Sequence, residues 1–295
     1  MTEERVNVGE VELVYESIGD PDDPTMLLVM GLGMQLIAWD REFCEGLAAR
    51  GFRVIRFDNR DAGLSTKIDA PVPNVMRAMA GFRINAPYLL DDMAADSFGL
   101  LDQLGVERAH VTGASMGGMI AQTMAIRRPD RVISLASMLS TTGDRRVGTP
   151  KLRVWSVLMR RAPRGRDAYI DYFVRVFRMI GSPGYPVDEA RMREQAGATY
   201  DRDHDASGTG RQLAAIFASG SRTAALRRLD VPTVVIHGRN DPLVPFRAGV
   251  ATARAIPGAE LVAFPGMGHD LPRQLWPQFT EAITKNAERA AIPAA

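Results

Sequence analysis

Short apolar runs alternate with amphipathic helical segments over roughly the first half of the chain. The runs at residues 27–29, 54–57 and 110–112 are each followed within two positions by glycine or aspartate. This pattern is typical of buried parallel strands. Between them, residues 39–50 and 89–104 repeat apolar side chains at a helical period. The alternation predicts an α/β fold with a mainly parallel sheet flanked by helices.

The same pattern predicts further strands and helices on both sides of these runs. Additional strands are predicted at residues 132–139, 233–236 and 260–264, with an antiparallel hairpin formed by residues 5–8 and 11–18. Additional helices are predicted at residues 116–126, 246–255 and 275–289.

The alternation stops after residue 139. Residues 150–221 carry helical periods separated by glycine and proline, and no convincing strand. Helices are predicted there at residues 151–161, 166–180, 188–200 and 209–219. We therefore expect a core made of residues 1–145 and 222–295, interrupted by a helical insertion made of residues 146–221.

Composition excludes several classes of protein. The 295 residues are 46% hydrophobic and carry a net charge of +1, which excludes a disordered or fibrous chain. The near-zero charge gives no field that would attract nucleic acid or an anionic membrane. Cys44 is the single cysteine, so an intramolecular disulfide is impossible. The acidic first residues lack an apolar signal core, and we expect a cytoplasmic protein without an integral membrane segment.

The sharpest motif is Gly113-Ala-Ser115-Met-Gly117, which has the G-x-S-x-G pattern. It lies between a predicted strand and a predicted helix, where the glycines permit a sharp turn. Such a turn exposes the serine hydroxyl at the N-terminus of the helix, where developing negative charge is stabilised. Ser115 is therefore the predicted nucleophile. The alternative interpretation is a glycine-rich turn with a capping serine.

A nucleophilic serine needs a base and an acid that orients the base. His269 lies in the loop between the last predicted strand and the last helix, and it is the predicted base. Asp241 follows the strand at 233–236 and is the predicted acid. Asp144, which follows the strand ending at residue 139, is the alternative acid. Asp270 adjoins the base in sequence and is a poor candidate.

The oxyanion of an acyl-transfer intermediate needs two backbone N–H donors. Met116 follows the nucleophile and supplies the first. The second is expected from the loop that follows the strand at 27–29, and we assign it to Leu32. The N–H groups of the neighbouring Gly31 and Gly33 are the alternative donors, if the loop is shifted by one residue.

Together these motifs resemble the α/β-hydrolase-fold serine carboxylesterases. The resemblance rests on the elbow at Ser115, the Met30-Gly-Leu-Gly33 loop, the Asp58-Asn-Arg60-Asp61-Ala-Gly63 segment, Asp241 and the Gly266-Met-Gly-His269 loop. It is strongest to bacterial esterases of the aclacinomycin-methylesterase and mycobacterial lipolytic type. It implies an α/β-hydrolase fold with an inserted helical cap, and chemistry through an acyl-enzyme. It also implies that the segment at 58–65 ties a loop beside the site by charge-assisted hydrogen bonds.

The predicted function is hydrolysis of short- to medium-chain acyl esters of small molecules, without cofactor or metal. Thioesterase, lactonase and cofactor-free perhydrolase activities would use the same triad, and a non-catalytic binding module is the alternative from another class. The acidic residues at 201–205 lack the spacing of a calcium loop. The insertion is expected to affect substrate preference more than the reactivity of Ser115. The sequence leaves oligomeric state open, including a homo-oligomer.

Overall fold

A computed structural model describes residues 3–79, 82–150, 154 and 162–290. Within these residues, eight strands form one sheet with the order β1-β2-β4-β3-β5-β6-β7-β8. The β1–β2 and β2–β4 pairs are antiparallel and the other neighbouring pairs are parallel. The strands are β1 (Glu4–Val8), β2 (Val11–Ile18), β3 (Thr25–Val29), β4 (Arg53–Phe57), β5 (Ala109–Ala114), β6 (Val132–Met138), β7 (Thr233–Gly238) and β8 (Glu260–Phe264).

Ten α-helices lie in the described part of the chain. They are α1 (Arg41–Ala48), α2 (Val75–Met79), α3 (Leu90–Gln103), α4 (Met116–Arg127), α5 (Arg166–Ile180), α6 (Glu189–Arg202), α7 (Ser207–Ser219), α8 (Thr223–Leu226), α9 (Phe246–Ala255) and α10 (Trp276–Arg289). We refer to α5, α6 and α7, which lie between β6 and β7 in the chain, as the insertion helices.

The central strands are buried on both faces, which explains their continuous apolar sequences. Alternate side chains of β3 point to opposite faces, so Leu27 joins one core cluster and Leu28 joins the other. The first cluster includes residues of α3 and α4, and the second includes residues of α1 and α10. Each of these two leucines is fully buried. Burial of such a side chain contributes about 1.5–3 kcal/mol.

The α/β fold with a mainly parallel sheet and an edge hairpin is confirmed. Predicted strand boundaries agree with the structure to within two residues at each end, and the helix predicted at 166–180 matches α5. The helix predicted at 39–50 is shorter in the structure, because the side chain of Asp40 caps its N-terminus by accepting from Glu42 N and its C-cap is Ala49. The helix predicted at 151–161 lies outside the described residues except for Val154. Across the described ranges, no helix is both long and apolar enough to cross a bilayer.

Candidate active site

Ser115 occupies a sharp turn between a strand and a helix. Strand β5 ends at Ala114 and α4 begins at Met116, with Ser115 between them at φ 56° and ψ −118°. This positive φ is uncommon for a residue that carries a side chain. The turn is held because Ser115 N donates to Met138 O at 2.8 Å and Ser140 Oγ donates to Ser115 O at 2.8 Å. A strained backbone held in this way is typical of functional sites.

The glycines of the motif are required by close backbone approach. A Cβ at Gly113 would lie 2.2 Å from the carbonyl oxygen of Gly117, and a Cβ at Gly117 would lie 2.0 Å from that of Val29. A Cβ at Gly31 would lie 3.1 Å from the Cβ of Ser115. Side chains at the first two positions would displace the elbow. The G-x-S-x-G pattern therefore follows from the geometry of the turn.

Ser115, His269 and Asp241 form a continuous chain of hydrogen bonds. His269 Nε2 lies 3.0 Å from Ser115 Oγ, and His269 Nδ1 lies 2.7 Å from Asp241 Oδ2. An ionised carboxylate only accepts, so Nδ1 carries a proton and Nε2 is left to accept from the serine hydroxyl. The other oxygen of Asp241 accepts from the backbone N–H groups of Leu243 and Val244, each at 2.8 Å. The aspartate is thus fixed in the orientation that the imidazole requires.

The structure places the two other acid candidates elsewhere. Asp144 accepts from the N–H of Arg146 at 2.9 Å in its own turn. Asp270 accepts from the hydroxyl of Ser182. Burial raises the pKa of the Asp270 carboxyl, although its bond from Ser182 opposes the shift. Of the three aspartates, only Asp241 has a hydrogen bond to His269 among the described contacts.

Two other histidines are buried and hydrogen-bond to neighbouring groups. His237 Nε2 lies 2.8 Å from Val244 O and 3.7 Å from Asp241 Oδ2. His110 Nδ1 lies 2.8 Å from Ser134 Oγ. Desolvation lowers the pKa of His237 and lowers that of His110 to about 4, so both are neutral near pH 7. This agrees with a structural role for both.

The two backbone donors assigned to the oxyanion hole remain available. Neither Leu32 N nor Met116 N donates a hydrogen bond to another residue that the structure describes. In contrast, Gly33 N donates to Gln212 Oε1 at 2.8 Å. Of the two neighbouring amides that would shift the register by one residue, that of Gly33 is therefore already engaged. The site thus combines a serine, an oriented imidazole and two free amides.

The sequence of this chain matches the model of a known protein family. Residues 24–272 match the family model described as the alpha/beta hydrolase fold. This covers most of the chain. The chain belongs to the α/β-hydrolase fold family.

Two relatives of this α/β-hydrolase span nearly the whole chain. It is 32% identical to "Rhodomycin D methylesterase DauP" of Streptomyces sp. (strain C5), over 96% of this chain and 97% of the relative. It is 27% identical to "Bifunctional esterase/perhydrolase DCH" of Acinetobacter calcoaceticus, over 96% of each chain.

Solved structures confirm the fold of this α/β-hydrolase. A thermophilic esterase from Thermogutta terrifontis superposes with a TM-score of 0.73 at 23% identity, covering 99% of this chain and 100% of the other. A 2-hydroxy-6-oxo-6-phenylhexa-2,4-dienoate hydrolase from Rhodococcus sp. strain RHA1 gives 0.76 at 21% identity, over 97% and 98%. At these identities the likeness shows the fold alone.

The insertion helices of this α/β-hydrolase hold the loop at residues 58–65 through buried ion pairs. Arg202 of α6 pairs with Asp58 at 2.6 Å, and Arg211 of α7 pairs with Asp61 at 2.7 Å. Both carboxylates are fully buried. The prediction that charge-assisted hydrogen bonds tie this loop agrees with these contacts. The partners themselves, two arginines of the insertion, were not predicted.

The end of α5 holds the loop that carries His269. His269 N donates to Ile180 O at 2.7 Å. Gly268 N donates to Ser182 Oγ at 2.8 Å, and the same hydroxyl donates to Asp270. The insertion therefore fixes the backbone of the histidine as well as the loop at 58–65. These supports give the insertion a route to the reactivity of Ser115, and the expectation that it affects substrate preference more than that reactivity stays a prediction.

Sequence reasoning missed the roles of Ser182, Arg202, Arg211 and Gln212. For the arginines one signal was present, because two aspartates predicted near the site require cationic partners when buried. No pattern in the sequence singles out Ser182 or Gln212.

The acidic residues near 201–205 are engaged in other contacts. Asp201 forms a paired contact with Arg166, and Asp203 lies 2.7 Å from Lys67. In the described ranges, no cluster of three or more His, Cys, Asp or Glu side chains is arranged to bind a metal ion.

Proposed function

We propose that this α/β-hydrolase is a serine-dependent carboxylic ester hydrolase with Ser115, His269 and Asp241 as its catalytic triad. The observation that carries the proposal is the hydrogen-bonded chain from Ser115 Oγ through the imidazole to Asp241. The full-length similarity to a methylesterase supports the same activity. The alternative of a non-catalytic module does not explain why all three residues are retained in this geometry.

The first half of the reaction is acylation of Ser115. His269 Nε2 takes the hydroxyl proton while Oγ attacks the ester carbonyl carbon. The C=O electron pair moves to oxygen, and the amides of Leu32 and Met116 stabilise the resulting oxyanion. Collapse of this intermediate breaks the bond to the alkoxy oxygen, and His269 protonates the departing alcohol. Asp241 stabilises the imidazolium that forms between these steps.

The second half is hydrolysis of the acyl-enzyme. His269 takes a proton from water while the water oxygen attacks the acyl carbon. The second oxyanion occupies the same pair of amides, and its collapse releases the acid and returns the proton to Ser115 Oγ. Hydrogen peroxide in place of water would give a peracid, and the similarity to an esterase/perhydrolase makes this the second candidate activity.

The proposed substrates are small-molecule esters with short to medium acyl chains. Methyl esters belong in the test, because one relative is named a methylesterase. We also propose a cytoplasmic location, with which a single buried thiol at Cys44 is compatible.

Steady-state hydrolysis of p-nitrophenyl esters of increasing chain length tests the activity. Ser115→Ala is expected to lower kcat by at least about 10⁴-fold, because the nucleophile is lost. Ser97→Ala removes a fully buried hydroxyl that, among the described residues, bonds to Met93 O away from the triad, and it is the control. Ser97→Ala should retain wild-type kcat. Wild-type turnover by Ser115→Ala would contradict the proposal. Parallel assays with a methyl ester, a thioester, a lactone and added hydrogen peroxide separate the related activities.

A further inference from the structure

Gln212 connects an insertion helix to the loop at Gly31–Gly33, which we call the oxyanion loop. It lies on α7 and is fully buried. Its Oε1 accepts from Gly33 N at 2.8 Å, and its Nε2 donates to Arg60 O at 2.8 Å. One side-chain amide therefore bridges two backbone groups from separate loops, about 180 and 150 residues away in sequence.

The helix and the loop meet without room for an intervening side chain. Gly33 has φ +65°, and a Cβ there would lie 2.6 Å from Thr209 Oγ1. Thr209 lies one helical turn before Gln212 on α7, so the two residues share a helix face. The close approach fixes the distance between helix and loop. The hydrogen bond from Gly33 N fixes the orientation of the peptide group between Leu32 and Gly33.

That peptide group directly follows the Leu32 amide. If the Gly33 N–H were released, the bond from Met34 N to Gly31 O at 3.2 Å would still close the turn, but no hydrogen bond would hold the orientation of its central peptide. The loop would then present either of two adjacent N–H groups to the substrate. With Gln212 in place, Gly33 N–H is engaged and Leu32 N–H has no partner within the described residues. A donor must lie close to the position of the oxyanion to stabilise it.

We propose that Gln212 is a positioning residue for the oxyanion hole, which holds the Gly31–Gly33 loop so that Leu32 N–H donates to the oxyanion. The proposal rests on the proposed esterase function. In this arrangement an insertion helix takes part in transition-state stabilisation without touching the substrate. The helix would influence the rate of reaction as well as the choice of substrate.

The kinetic signature differs from that of a merely structural residue. An oxyanion donor acts mainly in the transition state, so its misplacement lowers kcat and leaves KM nearly unchanged. Loss of one complete donor typically lowers kcat by about 10²–10³-fold. Gln212→Leu leaves the Leu32 amide in the chain but unfixed. We therefore expect kcat to fall by roughly 10- to 100-fold, within that limit.

The experiment measures kcat, KM and inhibition by an alkyl trifluoromethyl ketone, whose adduct with serine carries an oxyanion. Gln212→Leu should weaken this inhibitor in proportion to the loss of kcat/KM, because transition-state analogues use the same donors. Asn286→Ala is the matched control, since this buried amide on α10 donates to Leu135 O and Pro232 O away from the site.

The outcomes separate the proposal from its alternatives. A stability loss in Gln212→Leu similar to that in Asn286→Ala, with kcat and inhibitor affinity unchanged, would overturn it. If Gln212→Leu does not fold, Gln212→Asn replaces it, because the shorter amide keeps the site polar but does not reach Gly33 N. Wild-type kcat in Gln212→Asn would likewise refute the positioning role. Absence of ester turnover in the wild-type protein would instead refute the proposed function.

Discussion

Removal of the Asp61 charge is expected to cost far more stability than removal of an exposed carboxylate in the same geometry. Asp61 is fully buried, and its two oxygens accept from Arg211 Nη2 at 2.7 Å and Arg211 Nε at 2.9 Å. Tyr88 OH and Ile68 N also donate to this carboxylate, at 2.6 and 2.9 Å. Asp61→Asn keeps the size of the side chain and tolerates the φ of 67° at this position. The substitution removes the charge and also replaces one accepting oxygen by an NH2 group that faces donors.

The magnitude follows from the burial of the partner. The side chain of Arg211 is only 6% exposed, so Asp61→Asn leaves a buried guanidinium without its anion. Breaking a buried pair by removing one partner costs about 3–5 kcal/mol. Arg211→Met is expected to cost a similar amount. In the double variant Asp61→Asn/Arg211→Met no charge is left uncompensated, so its cost should be smaller than the sum by at least about 1 kcal/mol.

Urea unfolding followed by circular dichroism gives the free energy of unfolding for each variant. Asp201→Asn is the matched control, because Asp201 and Arg166 form the same two-bond contact with about half of each side chain exposed. An exposed pair contributes little, so Asp201→Asn should leave the urea midpoint nearly unchanged. Equal losses in Asp61→Asn and Asp201→Asn would refute this reasoning. Strict additivity in the double variant would also refute it.

Three further expectations concern single side chains. Asp241→Asn should lower kcat about 10⁴-fold, because the imidazole loses the acceptor that fixes its tautomer. Asp144→Asn should keep a kcat near that of the wild-type protein. The reverse order in steady-state assays would identify Asp144 as the acid. Burial raises the pKa of the Cys44 thiol to about 12, so Ellman's reagent should react with one thiol per chain in denaturant and with none in native buffer. Desolvation lowers the pKa of His110 from 6.5 to about 4, so its neutral form stabilises the fold above pH 6.5 and this contribution is lost as the pH falls towards 4. This loss is roughly 3 kcal/mol. In His110→Gln, the free energy of unfolding should therefore change less with pH over this range than in the wild-type protein. An unchanged pH dependence would contradict the assignment.

The sequence predicted the sheet well because its central strands are buried on both faces. Continuous apolar runs such as residues 27–29 can occupy few other environments in an α/β chain. Helices α2 (Val75–Met79) and α8 (Thr223–Leu226) were missed, since a helix of one turn shows too few periodic positions to be distinguished from a loop. The boundary between core and insertion remains a prediction.

The candidate site was predictable to the extent that local motifs determine it. The elbow at Ser115 follows from glycines that the turn requires, and His269 from its loop after the last strand. The choice between Asp241 and Asp144 stayed open, because the sequence does not specify which loop reaches the imidazole. The contact between Gln212 and Gly33 was inaccessible for a similar reason. It joins two residues that are distant in sequence. A glutamine fits many buried polar positions, so the sequence alone does not specify its partner.

In the part of the insertion that the structure describes, three contacts attach it to the site. It contacts the histidine loop through Ile180, the loop at 58–65 through Arg211, and the oxyanion loop through Gln212. These contacts give a physical reason for rate and specificity to change together when the insertion is altered.

Covalent labelling by a fluorophosphonate probe, measured by intact mass and peptide mapping, tests the central assignment most directly. The reagent phosphonylates an activated serine, and its oxygen occupies the same anion-binding amides as an ester oxyanion. We expect a single adduct per chain on the peptide that contains Ser115, lost in Ser115→Ala and retained in Ser97→Ala. A folded protein that forms no adduct, or one on another residue, would contradict the assignment of Ser115 as the nucleophile.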